Sequence, residues 1–493
     1  MRPKLTLLSE DLIPRIIEEA YQLLLSPGVK VLNAEARKLL AEAGAEVNEE
    51  TFIVKIPRQI VETALRTVPH KFHLYDYDGK PAVEYGGDTV QFDPGSSGLT
   101  VFDADTFEHK TAQTPDLIKL IKVADQLPQY DAQSTMVVCD DVPKDLHDLY
   151  RLYLVMLYSK KPIVTGAFTN KTVHYMIEML AIFAGGREQL RATPRAIFDV
   201  CPSPPLIWSN FGAGNLIALA RAGVPAEIVS MPLAGAAAPV TLLGAVTQHA
   251  AECLSGLTIH QLAKAGSPIV WGGAPAIFDM RKGGTPMGAV ETAMIDSSYA
   301  QVGKSLGLPT HAYLGATESK VIDMQAGLES GMGALVGALS GINMISGAGM
   351  LDSLLCQSAE KLVIDAEGIA MAKRMIAGVK LHTDTLATGF YDHNINFKGG
   401  DFLKQKITMQ LFRKEQHIPS SVIDRDSIRG WKEAGRLDTL GRARLRVQEL
   451  LASYSPPTLD SASVEQLHAF VLDLAHKAGM GSLPAHELAP TTA

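Results

Sequence analysis

The residues best suited to chemistry in this chain lie just past short buried runs, not inside one compact motif. His311, Ala312, Tyr313, Leu314 and Gly315 form an apolar run closed by glycine, and Thr317, Glu318, Ser319, Lys320, Asp323 and Gln325 follow it. A small-residue helical stretch comes next, then a second buried run at 342–345 that ends at Ser346-Gly347. Strand, polar loop, helix, strand is the order in which α/β barrels collect catalytic groups beyond their strand ends. The same reading of the other buried runs gathers Asp140, then Phe168 and Asn170, then Trp208 and Phe211. Further along it adds Met231, Trp271 with Gly272 and Gly273, and Arg281 in a long loop. Aromatic rings mixed with a few carboxylates suit a cation that donates no hydrogen bonds, held by ring faces and charge.

Other chemistries lack their residues. Fourteen histidines and four cysteines are present, but no HxH, HExxH or CxxC spacing groups them, so no zinc site is expected. No GxSxG elbow marks a nucleophilic serine. Lys320 stands several residues past a strand end and reads as an ion-pair partner of Glu318 or Asp323, not as a Schiff-base lysine on an apolar strand. Gly272-Gly273 and Gly283-Gly284 lack the Ser/Thr-rich helix start that a phosphate cradle needs. The second pair reads as a flexible loop.

The elements that must position these residues follow from periodicity. Short apolar runs at 136–138, 163–165, 196–200, 227–231, 268–271, 311–314 and 342–345, with a weaker one at 379–381, alternate with amphipathic stretches. That alternation predicts parallel βαβ units. Seven or eight of them match the size of a TIM (β/α)8 barrel. No run is followed by the GxGxxG spacing of a dinucleotide fold. The expected organisation is an N-terminal helical and β-hairpin extension over 1–130, a barrel over 131–398, C-terminal helices over 399–480 and a flexible tail over 481–493. In the extension, Leu12, Ile16 and Ala20 share one helix face, and Ala36, Leu39, Leu40 and Ala43 share another. Ser463 is the expected N-cap of the last helix.

Composition sets outer limits. The chain of 493 residues is 46% apolar with a net charge of −8, and it has no basic block for a nucleic-acid surface. Gln248, His249 and Glu252 interrupt the longest small-residue stretch, which excludes it as a membrane span. Four scattered cysteines and no signal-length apolar start predict a cytoplasmic protein.

Ordered blocks over about 10–450 carry a family resemblance. They include Glu42-Ala43-Gly44-Ala45-Glu46-Val47, Lys55-Ile56-Pro57-Arg58 and Ser159-Lys160-Lys161-Pro162. Leu233-Ala234-Gly235-Ala236-Ala237-Ala238-Pro239-Val240-Thr241 follows, then Glu318-Ser319-Lys320-Val321-Ile322-Asp323-Met324-Gln325-Ala326-Gly327. Gly347-Ala348-Gly349-Met350-Leu351-Asp352 and Ser358-Ala359-Glu360-Lys361-Leu362-Val363-Ile364-Asp365 close the series. In these blocks the chain resembles the trimethylamine methyltransferase family, whose members pass methyl groups from methylamines to corrinoid proteins.

The resemblance implies a TIM barrel, a corrinoid (cobalamin) carried by a cognate partner protein, and a homo-oligomer. The archetypal trimethylamine enzyme holds pyrrolysine in its barrel. This chain has only standard residues, including throughout 310–350, where the resemblance implies that position. Family members without pyrrolysine resemble demethylases of quaternary amines such as glycine betaine. The resemblance therefore implies a small quaternary amine as substrate. The expected pocket is Asp140, Phe168, Asn170, Trp271, Arg281, His311, Tyr313, Glu318 and Gln325, with Arg281 or His311 available to a betaine carboxylate. Gly272, Gly273, Ser346 and Gly347 are the residues expected to face the corrinoid. The rival readings are a betaine-binding protein without turnover, a trimethylamine-type demethylase, and an unrelated barrel lyase using Lys320.

Overall fold

Alternating buried strands and amphipathic helices close into an eight-stranded parallel barrel in the computed structural model, which describes residues 2–391, 400–484 and 491–492. The strands are β1 (Gln91–Pro94), β2 (Gln133–Ser134), β3 (Ile163–Gly166), β4 (Ala196–Val200), β5 (Ala226–Ser230), β6 (Ile269–Gly273), β7 (His311–Tyr313) and β8 (Met344–Ala348). Parallel pairing runs continuously from β2 to β6, and from β7 through β8 to β1. A parallel bridge from Trp271 to Thr310 joins β6 to β7. The ring closes between β1 and β2, where Asp131 N donates to Phe92 O at 2.8 Å and Gly98 pairs with Val137.

Each strand feeds a helix: α1 (Thr114–Asp125), α2 (His147–Tyr158), α3 (Asn170–Ala184), α4 (Asn210–Ala222), α5 (Leu242–Ala263), α6 (Val290–Ser305), α7 (Met324–Leu339) and α8 (Ala359–Ile376). Short polar side chains start most of them. Thr169, Ser209, Thr241, Asp323 and Ser358 each accept the backbone N–H three residues on, which satisfies a donor that the helix leaves free. Gly185 and Gly223 end α3 and α4 at φ 79° and 74°, where a Cβ would be strained.

The barrel therefore forms as the alternation predicts, but its first strand does not. The run at 136–138 was expected to begin the barrel and the one at 379–381 to end it. Instead Gln91–Pro94, inside the expected N-terminal extension, supplies the first strand, so the barrel reaches back beyond the boundary drawn at 131. Segment 379–381 forms no strand, and Val379 and Leu381 are exposed. The physical reason is closure: β8 needs a parallel neighbour on its open edge, and β1 is already positioned beside β2.

Around this core, the N-terminal helices Leu12–Leu25, Ala34–Glu42 and Arg58–Leu65 lie on α5, which is consequently buried along nearly its whole length. The hairpin of Phe72–Tyr75 and Pro81–Tyr85 plugs the lower end of the barrel. At the C-terminus, Thr439–Ser453 packs on α8 and α1, and Ser461–Lys477 on α3 and α2. The last helix begins earlier than expected, because Asp460 caps it by accepting Ser463 N at 2.8 Å. In the segment expected to be a flexible tail, the backbone of Thr491–Thr492 pairs with Leu459–Asp460; residues 485–490 and 493 lie outside the described set. Among the described residues no helix is long and apolar enough to cross a membrane.

Candidate active site

Inward-facing side chains in the upper half of the barrel form a buried polar layer. Asp93 of β1, Asp199 of β4, Glu227 of β5, His311 and Tyr313 of β7, and Ser346 of β8 all project into it, and all six are buried or nearly so. Ser346 Oγ donates to Asp93 Oδ1 at 2.5 Å and lies 2.9 Å from His311 Nε2. Glu227 Oε1 lies 2.9 Å from His311 Nδ1, without hydrogen-bond geometry. Tyr313 OH donates to Asp199 Oδ2 at 2.8 Å and lies 3.4 Å from Ser96 Oγ. Gly272 makes room for this packing. A Cβ there would sit 3.0 Å from His311 Nδ1 and 2.8 Å from Ile228 O.

Three acids sharing one dry space repel each other's charge. Burial first, then the neighbouring carboxylates, push the Asp199 carboxyl well above its usual range. Burial does the same to Asp93 and raises Glu227 to about 8. Burial also depresses His311 to about 4, so the imidazole is neutral at pH 7. Asp93 Oδ2, Asp199 Oδ1 and both Glu227 oxygens accept no well-aligned hydrogen bond, although Asp199 and Tyr85 lie close enough to Glu227 to interact with its carboxyl. Buried acceptors without a donor are rare in folded proteins, and this concentration makes the layer the candidate site. With their pKa values raised, these acids hold protons near pH 7 and can release one where a positive charge arrives.

Loops after the strands roof this layer. Met350, fully buried, extends over β1, where a Cβ at Gly95 would come within 2.2 Å of its Cγ. Val229, Ala274, Met287, Tyr313 and Ala316 pack with it. The Met350 loop continues through Asp352, Ser353 and Leu354, three non-glycine residues in succession at φ 51°, 54° and 74°. Such strain persists only where surrounding bonds fix it. Asp352 N donates to Ser319 O and Ser353 N to Thr317 O, both at 3.0 Å. Behind it, Gly349 N donates to Asp365 Oδ2 at 2.7 Å, and Asp365 is held by the buried Lys361 at 2.5 Å.

The expected site residues divide sharply. His311, Tyr313 and Ser346 meet in the polar layer. Phe168 stands at the rim, its ring over the Arg151 guanidinium at 4.8 Å. Glu318 lies above the layer, with its carboxylate committed to three loop donors: Met287 N at 2.6 Å, Gly288 N at 2.9 Å and Ser353 Oγ at 3.1 Å. It clamps loops together; burial raises its carboxyl. Gly347 crosses close to Gly315 and Gly95.

The other expected residues lie outside the polar layer. Trp271 faces away from the barrel interior, because alternate strand residues point to opposite faces. Its Nε1 donates to Tyr299 O at 3.1 Å and its ring meets His249, within the helix layer. Gly273 points the same way, toward His249. Trp208 is likewise buried outside the layer, bonded to Ser255. Asp140 is exposed, with only its backbone N bound to Ala112 O. Asn170 donates to Asn210 O at 3.2 Å between two helix starts. Arg281 is exposed and paired with Asp279 at 2.9 Å. Gln325 donates to Glu329 on the surface of α7. Lys320 pairs with neither expected acid but with Asp352 at 3.3 Å, and is exposed. Asp392-His393, a candidate loop over the mouth, lies outside the described residues.

Asp93, Asp199, Glu227 and Arg151 were not among the expected residues, because they lie within strands or on a helix and not just past strand ends. Asp199 and Glu227 carried a legible signal: each is a lone acid within an otherwise apolar strand of a buried sheet. Among the described residues no group of three or more His, Cys, Asp or Glu side chains is arranged to hold a metal ion.

An eight-stranded βα barrel with a buried acidic layer under its C-terminal mouth defines an enzyme-type architecture. The family model described as trimethylamine methyltransferase (MTTB) matches residues 1–480, and the chain belongs to that family. It is 31% identical to trimethylamine methyltransferase MttB1 of Methanosarcina mazei over 485 residues, 97% of each chain. It is 29% identical to a glycine betaine methyltransferase of Desulfitobacterium hafniense over 479 residues, covering 97% of this chain and 98% of that one. The crystal structure of the Methanosarcina barkeri monomethylamine methyltransferase superposes with a TM-score of 0.52 at 14% identity, covering 76% of this chain and 77% of that one. That likeness supports the barrel fold.

Proposed function

We propose that this chain demethylates a quaternary amine of the glycine betaine type, delivering the methyl group to the Co(I) of a corrinoid carried by a cognate partner protein. The observation that carries the reading is the set of buried, unfilled carboxylate oxygens on Asp93, Asp199 and Glu227 beside Tyr313. A quaternary ammonium fits them because it brings a fixed positive charge and no N–H donor to satisfy.

The corrinoid supplies the nucleophile for the methyl carbon. The chain's own work is electrostatic and spatial. A quaternary nitrogen departs as a neutral tertiary amine, so no side chain must protonate the leaving group. The acids stabilise the cation on entry, and at least one loses its proton when the ligand's charge arrives. Tyr313 and Ser346 hold Asp199 and Asp93 in place. Met350 and its neighbours exclude water, which strengthens every charge interaction below them.

The mouth also fits a partner's face. Leu99, Phe168, Met231, Met280 and Leu355 from loops, and Phe211 from the first turn of α4, lie beyond the C-terminal ends of the strands, and all are exposed. Gly272 and Ser346, expected to face the corrinoid, lie beneath the roof instead, so this rim takes that role in the proposal. The exposed Met324, Leu328 and Met332 along α7 favour self-association on a separate face. Four free cysteines favour a reducing, cytoplasmic setting.

The test is methyl transfer from a panel of methylated amines to free Co(I) cobalamin, then to candidate corrinoid proteins, followed by absorbance. Methyl-cobalamin formed from a betaine and not from trimethylamine is the expected result. Calorimetric binding of a betaine with no transfer to any acceptor would instead establish a binding protein without turnover.

A further inference from the structure

Arg151 is a buried guanidinium near the barrel mouth whose surroundings do not complete it. It arises on α2 and is fully buried. One terminal nitrogen donates to Ser97 Oγ at 3.0 Å and to Thr135 O at 2.9 Å, at the upper ends of β1 and β2. The other terminal nitrogen and Nε have no acceptor. Asp148, the nearest acid on the same helix, spends its oxygens on Leu149 N, Phe168 N and Thr172 Oγ1. Among the described residues no carboxylate stands within ion-pair distance of Arg151. A buried cation with two unused donors is costly unless an anion completes it.

The position of this group matters as much as its state. Tyr313 and Asp199 are close enough for their charges to act on Arg151. Arg151 therefore lies near the acidic layer. Its neighbour Ser97 follows Ser96, which touches Tyr313. The Phe168 ring lies against the guanidinium at 4.8 Å and is itself 42% exposed, so it links the buried guanidinium to the rim.

We infer that Arg151 is the receptor for a substrate carboxylate, and that the site is built for a zwitterion: quaternary ammonium over Asp199 and Glu227, carboxylate on the free fork of Arg151 beneath Phe168. A planar guanidinium with two free donors matches a carboxylate in two-point contact. Amines that lack an anionic arm, trimethylamine among them, leave that fork unsatisfied and are disfavoured by the site itself. The inference rests on the quaternary-amine reading and adds to it the residue that selects among such amines.

The experiment is calorimetric titration of the full chain with glycine betaine, its methyl ester and tetramethylammonium, repeated with Arg151→Lys and Arg151→Met. In the unaltered protein the betaine should bind at least tenfold tighter than the other two. Arg151→Met should abolish that preference while keeping the affinity for tetramethylammonium, and Arg151→Lys should retain part of it. Equal affinity of the unaltered protein for all three probes would overturn the inference without any variant, and would leave the quaternary-amine reading standing. Failure to bind any of the three would overturn that reading too. A parallel loss for all probes in a folded Arg151→Met would show that the residue serves structure alone.

Discussion

In the lower barrel, Val164, Ile197, Val270 and Met344 point inward and close on Leu74, Val83 and Tyr85 of the plugging hairpin. Two residues further along the same four strands stand Gly166, Asp199, Gly272 and Ser346. One pleat of each strand thus separates a dry apolar layer from a dry polar one. The lower layer stabilises by burial, about 25 cal/mol per Å² of apolar area. The upper layer opposes folding, since its acids are desolvated and incompletely bonded. The strands can hold that unfavourable layer in place because the layer beneath is locked. Tyr85 connects the two, rising from the hairpin close enough to Glu227 for each to influence the other's ionisation.

The comparison can be broken most forcefully outside both layers. Trp271→Ala should cost about 3–5 kcal/mol of stability through the cavity left in the helix layer, measured by denaturant unfolding. Ligand affinity in the folded fraction should stay unchanged; a selective loss of quaternary-amine binding would return Trp271 to the site. Within the polar layer, Asp199→Asn should cost about 2–4 kcal/mol in transition-state stabilisation, read from kcat/KM, with stability equal to or above that of the unaltered protein. A fall in stability with activity kept would mean that the layer is structural.

The pH dependence sharpens the contrast. Glu227 holds its proton up to about 8 in the folded protein, against about 4.5 unfolded. The folded state therefore binds more protons between those values, and the stability this contributes is full below pH 4.5 and lost as pH rises through 8. Glu227→Gln should flatten the decline in unfolding free energy between pH 5 and 8, and an unchanged slope would place the proton elsewhere. The smallest effect belongs to Tyr313→Phe. It removes one donor to Asp199 and should weaken betaine binding by about 1 kcal/mol by calorimetry.

Much of the barrel was legible because strand and helix periodicities differ, and six of its strands could be located from apolar runs. Gln91–Pro94 was not, since a four-residue strand containing Asp93 and Pro94 resembles a loop until its neighbours on both sides are known. In the polar layer, His311, Tyr313 and Ser346 were legible because they lie in or at the ends of short apolar runs. Trp271 misled for a geometric reason: the same strand end offers one residue to the mouth and the next to the helices, and the sequence does not say which. Glu318 was found but its role was not, because whether a carboxylate meets a ligand or three backbone and side-chain donors depends on loops far away in the chain.

By itself the sequence determined the βα alternation and membership in a methyltransferase family, since each depends on local pattern or on order along the chain. Only the tertiary structure decided which strand closes the ring, which face of each strand turns inward, and that Asp93, Asp199 and Glu227, from three separate strands, share one buried space. That convergence depends on barrel closure and register, and it is where the unfavourable electrostatics available for binding a charged ligand arise.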